Sequence, residues 1–140
     1  MKQKIRDIMP RGTPTRVKPT ETLSVAAKKM KSANIGCVLV MDGEEVVGLL
    51  TDRDIVVRAV AEGLDPVATA AGDVCSKELA TLSPDDLVDN AIELMRKKAI
   101  RRIPVMEDQS VLGVVSLGDL ALERDPTSVL GGISSAKANV

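Results

Sequence analysis

The sequence predicts a mixed α/β fold of the α+β kind, made of two pseudo-symmetric β-α-β-β-α repeats. Three observations carry this. Residues 19–55 laid over 84–120, at a constant offset of 65 and without a gap, are identical at nine of 37 positions, well above chance. In each copy an apolar spacing of helical period is followed by two short apolar runs. The chain has 140 residues, 44% hydrophobic and 28% charged. That is enough for one domain or two halves, and each half of about 60 residues is marginal alone, so the two are expected to pack sheet to sheet.

In chain order, Val17-Lys18-Pro19 and Leu82-Ser83-Pro84 read as short extended entries. A helix follows, with its apolar stripe at Leu23, Ala26, Ala27 and Met30 in the first copy and Val88, Ala91, Ile92 and Met95 in the second. Two strands come next, Cys37–Met41 and Val46–Thr51, joined across the turn signal Asp42-Gly43. Their counterparts are Ile103–Met106 and Val111–Ser116. A second helix is predicted over 52–61 in the first copy and 117–123 in the second, and Gly63 and Pro66 mark the linker. The division is therefore 1–64 for the first repeat, 65–125 for the second and 126–140 for a loosely held tail. In that tail Val129, Leu130 and Ile133 are available to dock on a partner.

Composition narrows the function. There is no Phe, Tyr, Trp or His. Without His there is no Ser-His-Asp or Cys-His machinery and no His metal ligand. Without aromatics there is no stacking platform for bases. Cys37 and Cys75 cannot make a zinc site by themselves, no other metal-ligand set is evident, and Cys37 reads as a small core residue within Cys37-Val38-Leu39-Val40. The net charge of −1 argues against a general nucleic-acid binder. The basic residues are nonetheless unevenly spread. Residues 1–18 hold six Lys and Arg against Asp7 alone, and 96–102 is a second basic run. The N-terminal segment lacks the apolar stretch of a signal peptide and no run is long enough to span a bilayer, so a cytoplasmic location without membrane association is expected.

The best site is the recurring strand-to-helix junction. Gly48-Leu49-Leu50-Thr51-Asp52-Arg53-Asp54 and Gly113-Val114-Val115-Ser116-Leu117-Gly118-Asp119 share one pattern: Gly, two apolar residues, a hydroxyl residue, two more, then Asp. One reading is a helix cap, with Thr or Ser at the cap and an acid at the third helical position. The other starts from the same geometry. The helix start suits an anionic group, and the carboxylate beside it can accept two hydrogen bonds from a vicinal diol such as a ribose.

These junctions, with Arg101-Arg102-Ile103-Pro104-Val105, Ile5-Arg6-Asp7-Ile8-Met9 and its echo Gly72-Asp73-Val74-Cys75, resemble a tandem pair of cystathionine-β-synthase-type (CBS) domains, a Bateman module. The resemblance covers residues 2–123 and is nearer still to the stand-alone bacterial CBS-pair proteins. It implies a non-catalytic regulatory module that binds adenosine-type nucleotides (AMP, ADP, ATP or S-adenosylmethionine) between the repeats and signals to a partner or through its own assembly. A homodimer is the implied state, and the nucleotide is a regulatory ligand, not a cofactor. The implied ribose-binding residues are Thr51 with Asp54 and Ser116 with Asp119. The implied lining is crosswise: Ile100, Arg101 and Arg102 for the first cleft, and Ile35, Gly36 and Cys37 for the second. On that lining a phosphorylated nucleotide prefers the Asp54 cleft, because arginine binds phosphate oxygens in pairs. Leu39 stands where Pro104 is found in the second copy, a departure from the family's apolar-Pro-Val strand. The competing readings are a structural adaptor with empty clefts and a nucleic-acid-associated protein using the basic N-terminus.

Overall fold

The computed structural model describes residues 2–125 and 127–136; Met1, Pro126 and 137–140 lie outside the described residues. The elements are α1 (Ile5–Ile8), β1 (Arg16–Val17), α2 (Leu23–Ala33), β2 (Cys37–Asp42), β3 (Glu45–Thr51) and α3 (Asp52–Asp54), which runs on into a π-helical stretch, Ile55–Val60. They continue with α4 (Ala71–Val74), α5 (Val88–Lys98), β4 (Arg102–Glu107), β5 (Ser110–Ser116), α6 (Leu117–Arg124) and α7 (Val129–Ser135). They form two compact units, Pro14–Leu79 and Met1–Thr13 with Ala80–Val140.

This division differs from the 1–64/65–125 boundary drawn from the order of the repeats, because each repeat is completed by a segment lying before it or after it. In the second unit, Ile5 N–H donates to Asp86 O and Arg6 N–H to Pro84 O, each at 2.9 Å, and Val88 N–H donates to Gln3 O at 3.0 Å. Ile5 is fully buried in the core formed by Leu82, Val88, Met95, Ile103 and Val115. The linker plays the same part in the first unit. Ala71 N–H donates to Glu21 O at 2.8 Å, Gly72 N–H to Pro19 O at 2.9 Å and Leu23 N–H to Thr69 O at 2.9 Å.

In the first unit α2 is capped by Thr22, whose hydroxyl accepts from Val25 N–H at 3.3 Å. It buries Leu23, Ala26 and Met30 against Val38, Val40 and Leu50 of the sheet. Sequestering a side chain such as Leu23 contributes about 1.5–3 kcal/mol. Ala27, expected in that stripe, is exposed. The sheet order is β1-β2-β3, with β1 parallel to β2 and β2 antiparallel to β3. Among the described residues the second unit has only the β4-β5 pair, and its predicted extended entry shrinks to one isolated bridge, Leu82 to Val105. Pro104 supplies the reason. Leu39 N–H donates to Thr15 O at 3.0 Å in the first unit, whereas a proline at the matching position has no N–H to give.

Three further expectations are corrected. The helix predicted over 52–61 is one α-turn followed by π-helix; Ile55, Val56, Val57 and Val60 are β-branched and crowd a regular α-turn. Cys37 is half-buried at a strand start, while Cys75 is the core thiol. The described part of the tail is not loose: it forms α7, with its N-terminus capped by Ser128, whose hydroxyl accepts from Gly131 N–H at 3.0 Å. Among the described residues no helix is long and apolar enough to cross a membrane.

Candidate functional site

In each unit a strand passes straight into a helix, and the junction is locked by a reciprocal capping pair. Thr51 N–H donates to Asp54 Oδ2 at 2.9 Å, and Asp54 N–H to Thr51 Oγ1 at 3.1 Å. Ser116 N–H donates to Asp119 Oδ2 at 2.8 Å, and Asp119 N–H to Ser116 Oγ at 3.2 Å. The capping reading is therefore correct as structure. It uses one carboxylate oxygen of each Asp; the other oxygen of Asp54 faces Arg58, and that of Asp119 is left for further bonding.

The sheet register brings the strand-start triplets to these junctions. Cys37 lies opposite Thr51, and Arg102 opposite Ser116; directly opposed residues of an antiparallel pair project to the same face. Gly36 O accepts from Asp52 N–H at 2.9 Å, and Arg101 O from Leu117 N–H at 2.8 Å. Each unit thus groups residues of its own repeat. Ile35, Gly36 and Cys37 lie with Thr51 and Asp54, and Ile100, Arg101 and Arg102 with Ser116 and Asp119. The resemblance pairs each capping box with the triplet of the other repeat.

The two junctions differ in charge. Asp54, 9% exposed, is the one buried charged residue among the described residues. Arg58 Nε stands 3.7 Å from its Oδ1, and Arg58 Nη1 also donates to Val74 O at 3.1 Å. The matching position in the second repeat is Glu123, which accepts from the Gln3 side-chain amide. In the first repeat Asp52 Oδ1 covers Arg53 N–H at 2.9 Å. Leu117 replaces Asp52 in the second repeat, so among the described residues no carboxylate covers Gly118 N–H there. Among the described residues, neither Arg101 nor Arg102 has a side-chain hydrogen bond or ion pair. The first junction is charge-compensated from within; the second presents unpaired arginines at a helix start.

Sequence reasoning did not single out Arg58, although its spacing of four from Asp54 on one helix was the available signal. It also passed over a cavity of about 540 Å³ between α5 and α6, lined by Ile92, Met95, Leu117 and Leu120 with Arg101 and Arg124 beside them. The basic N-terminus is partly engaged: Arg6 pairs with Asp85 at 2.8 Å, and Lys4 approaches the same carboxylate at 3.8 Å. Burial pushes the Cys75 thiol above its ordinary value of 9.0, which disfavours its nucleophilic thiolate. Among the described residues no group of three His, Cys, Asp or Glu could hold a metal ion.

Comparison with known proteins agrees with this architecture. The CBS domain family model matches twice, at residues 5–60 and 71–124. CBS domain-containing protein YhcV of Bacillus subtilis (strain 168) is 37% identical over 120 residues, covering 86% of this chain and 84% of that protein. The crystal structure of Hypoxic Response Protein I with two coordinated zinc ions is 33% identical at a TM-score of 0.76, over 85% of this chain and 97% of that one. The CBS domain pair of protein MJ0100, in complex with 5-methylthioadenosine and S-adenosyl-L-methionine, superposes with a TM-score of 0.77 over 86% and 94% of the two chains. At 24% identity that likeness is one of fold.

Proposed function

The chain belongs to the CBS-domain family and is a pair of such domains, a regulatory module; from that premise we propose that it binds adenosine-type nucleotides at its strand-to-helix junctions. The observation that carries the reading is the doubled capping box, which sets a carboxylate beside each helix start; Asp54 Oδ1 faces Arg58, while among the described residues Asp119 Oδ1 takes no hydrogen bond or ion pair. A carboxylate oxygen so placed can accept from a ribose diol, and the Gly118 N–H in the first turn of α6 suits a phosphate. The ribose-binding residues are Thr51 and Asp54 in one repeat, and Ser116 and Asp119 in the other. The adenine is held by backbone edges and apolar side chains such as Ile35 and Ile100, so the lack of aromatics is no obstacle. A neighbour of the same fold holds adenosine-type ligands. The ligand acts as a signal to a partner or to the chain's own assembly, without catalysis and without a metal or cofactor.

The register within each unit supports a phosphate preference at the second junction. Arg102 lies opposite Ser116 and Arg101 adjoins Leu117, whereas the Thr51 junction has Gly36, Cys37 and the acidic Asp52 at those positions. On the residues each unit groups by itself, the preference for AMP over adenosine is assigned to the Asp119 junction; crosswise lining would assign it to the Asp54 junction. We assign self-association as a homodimer in the cytoplasm to the same chain, its apolar surface lying in the α5–α6 groove.

A thermal-shift screen with AMP, ATP, S-adenosylmethionine and adenosine tests the reading, since a ligand confined to the folded state raises the midpoint. The expected result is a shift with at least one adenosine compound, diminished in Asp54→Ala and Asp119→Ala, with the AMP-over-adenosine preference lost only in Asp119→Ala. No shift at millimolar ligand would favour an adaptor with empty junctions. Steeply salt-dependent DNA or RNA binding would favour the nucleic-acid reading.

A further inference from the structure

The described tail lies against the second junction. A Cβ built on Gly118, the second residue of α6, would stand 2.9 Å from Ser134 Oγ, 3.5 Å from Ser134 Cβ and 3.6 Å from Ser116 Oγ. Ser134 of α7 therefore sits over the helix start beside the hydroxyl that closes the capping box. Gly118 permits this approach because it has no side chain. The matching residue in the first repeat is Arg53, which is exposed.

Helix α7 is held on α6 in an unusual way. Its glycine Gly131 is buried, while Val129 is 82% exposed and Ile133 66%. A helix that packs through small residues and leaves its large apolar ones in water gains little from burial, so it separates at low cost.

From these two observations we infer that α7 is a lid over the Ser116–Asp119 junction, displaced when a phosphorylated nucleotide reaches Gly118 N–H and Arg102. The inference rests on the nucleotide reading above and adds regulation of that site. Ligand binding at the second repeat releases α7 with its apolar residues Val129, Leu130 and Ile133, which turns occupancy of a small site into a change on the surface. The first junction, with Arg53 at the matching place, carries no such lid.

The separation between the two Cβ positions suits a disulfide, for which about 3.5–4.5 Å is usual. Full-length protein carrying Gly118→Cys and Ser134→Cys is titrated with AMP after oxidation and again after reduction, beside the unaltered chain and an Asp119→Ala version of the double variant. The oxidised protein is expected to bind AMP about tenfold more weakly than its own reduced form, because the open population is removed. That difference is expected to vanish in the Asp119→Ala version. A companion change, Gly131→Leu, pushes α7 off its seat and is expected to tighten AMP binding severalfold. Equal AMP affinity in the oxidised and reduced forms overturns the lid and leaves the nucleotide reading standing. Failure of the bridge to form on oxidation overturns the placement of α7 on which the lid depends. Absence of AMP binding to the unaltered and the reduced chains alike overturns the nucleotide reading, and the lid with it.

Discussion

Arg102 stands directly opposite Ser116 across the β4–β5 pair, where the first repeat sets Cys37 opposite Thr51. The two positions are equivalent by the 65-residue offset, so the repeats present different chemistry to the same geometric slot. On the proposed nucleotide reading, a guanidinium there would reach a phosphate with charge-assisted hydrogen bonds, each worth about 1.5–3 kcal/mol net. Arg102→Ala is therefore expected to weaken AMP binding about tenfold or more and to leave adenosine binding nearly unchanged. Cys37→Ala is expected to leave the ratio of the two affinities where it was. Calorimetric titration with both ligands checks this, and an equal loss for AMP and adenosine in Arg102→Ala would rule out a phosphate contact.

The glycine that opens each junction motif is required to different degrees. A Cβ on Gly48 would lie 2.5 Å from Ser76 O and 2.7 Å from Cys75 Sγ. The backbone there is tied down, because Leu49 and Ser76 exchange hydrogen bonds at 3.0 and 2.9 Å. On Gly113 the nearest atom is Met9 Cε at 2.8 Å, the free end of a flexible side chain. Gly48→Ala is expected to cost about 1–3 kcal/mol in urea unfolding, as overpacking against fixed atoms does, and Gly113→Ala clearly less. Equal losses would show that Met9 is as immobile as the Ser76 carbonyl.

The same comparison shows what could be read from the chain alone. Helices α2 and α5, the first hairpin and both capping boxes follow from local signals (apolar periodicity, a turn signal, and a hydroxyl three residues before an Asp), and the second hairpin follows from the repeat. Where the sequence misled, the deciding partner is far away in the chain. Ile5 belongs to the core of the second repeat through bonds to Pro84 and Asp86, and nothing in its own neighbourhood says so. The lost strand at Leu82 depends on a missing N–H at Pro104, a difference from Leu39 that is visible in the sequence but whose consequence appears only once the pairing is known. At the site, the residue types were legible. The pairing of Arg102 with Ser116 within one repeat was not, because it depends on the strand register.

A third prediction concerns the end of α5. Ala99 caps that helix with φ 53°, in the left-handed region, and its counterpart at the end of α2 is Asn34 with φ 58°. Alanine is strained there by its Cβ, whereas Asn tolerates the conformation and Gly adopts it freely. Ala99→Gly is expected to raise stability by about 0.5 kcal/mol after allowing for the greater freedom of Gly in the unfolded chain, and Asn34→Ala to lower it by a similar amount. Unfolding midpoints of the two variants decide the matter; a loss in Ala99→Gly would contradict it.

Cys75 links stability to alkaline pH. Its thiol is pushed above the ordinary value of 9.0, chiefly by burial, against the opposing pull of the Lys77 charge. Below 9.0 the folded and unfolded chains both keep the proton. As pH rises beyond that value the unfolded chain releases it first, so the unfolded state binds fewer protons and stability falls until the raised folded value has been passed. The contribution is thus complete below the unfolded value and lost above it. Urea midpoints followed from about pH 8 to about pH 10.5 are expected to fall more steeply for the unaltered chain than for Cys75→Ala, whatever the packing cost of the substitution at neutral pH. Parallel curves would show that the buried thiol ionises no later in the folded chain than in the unfolded one.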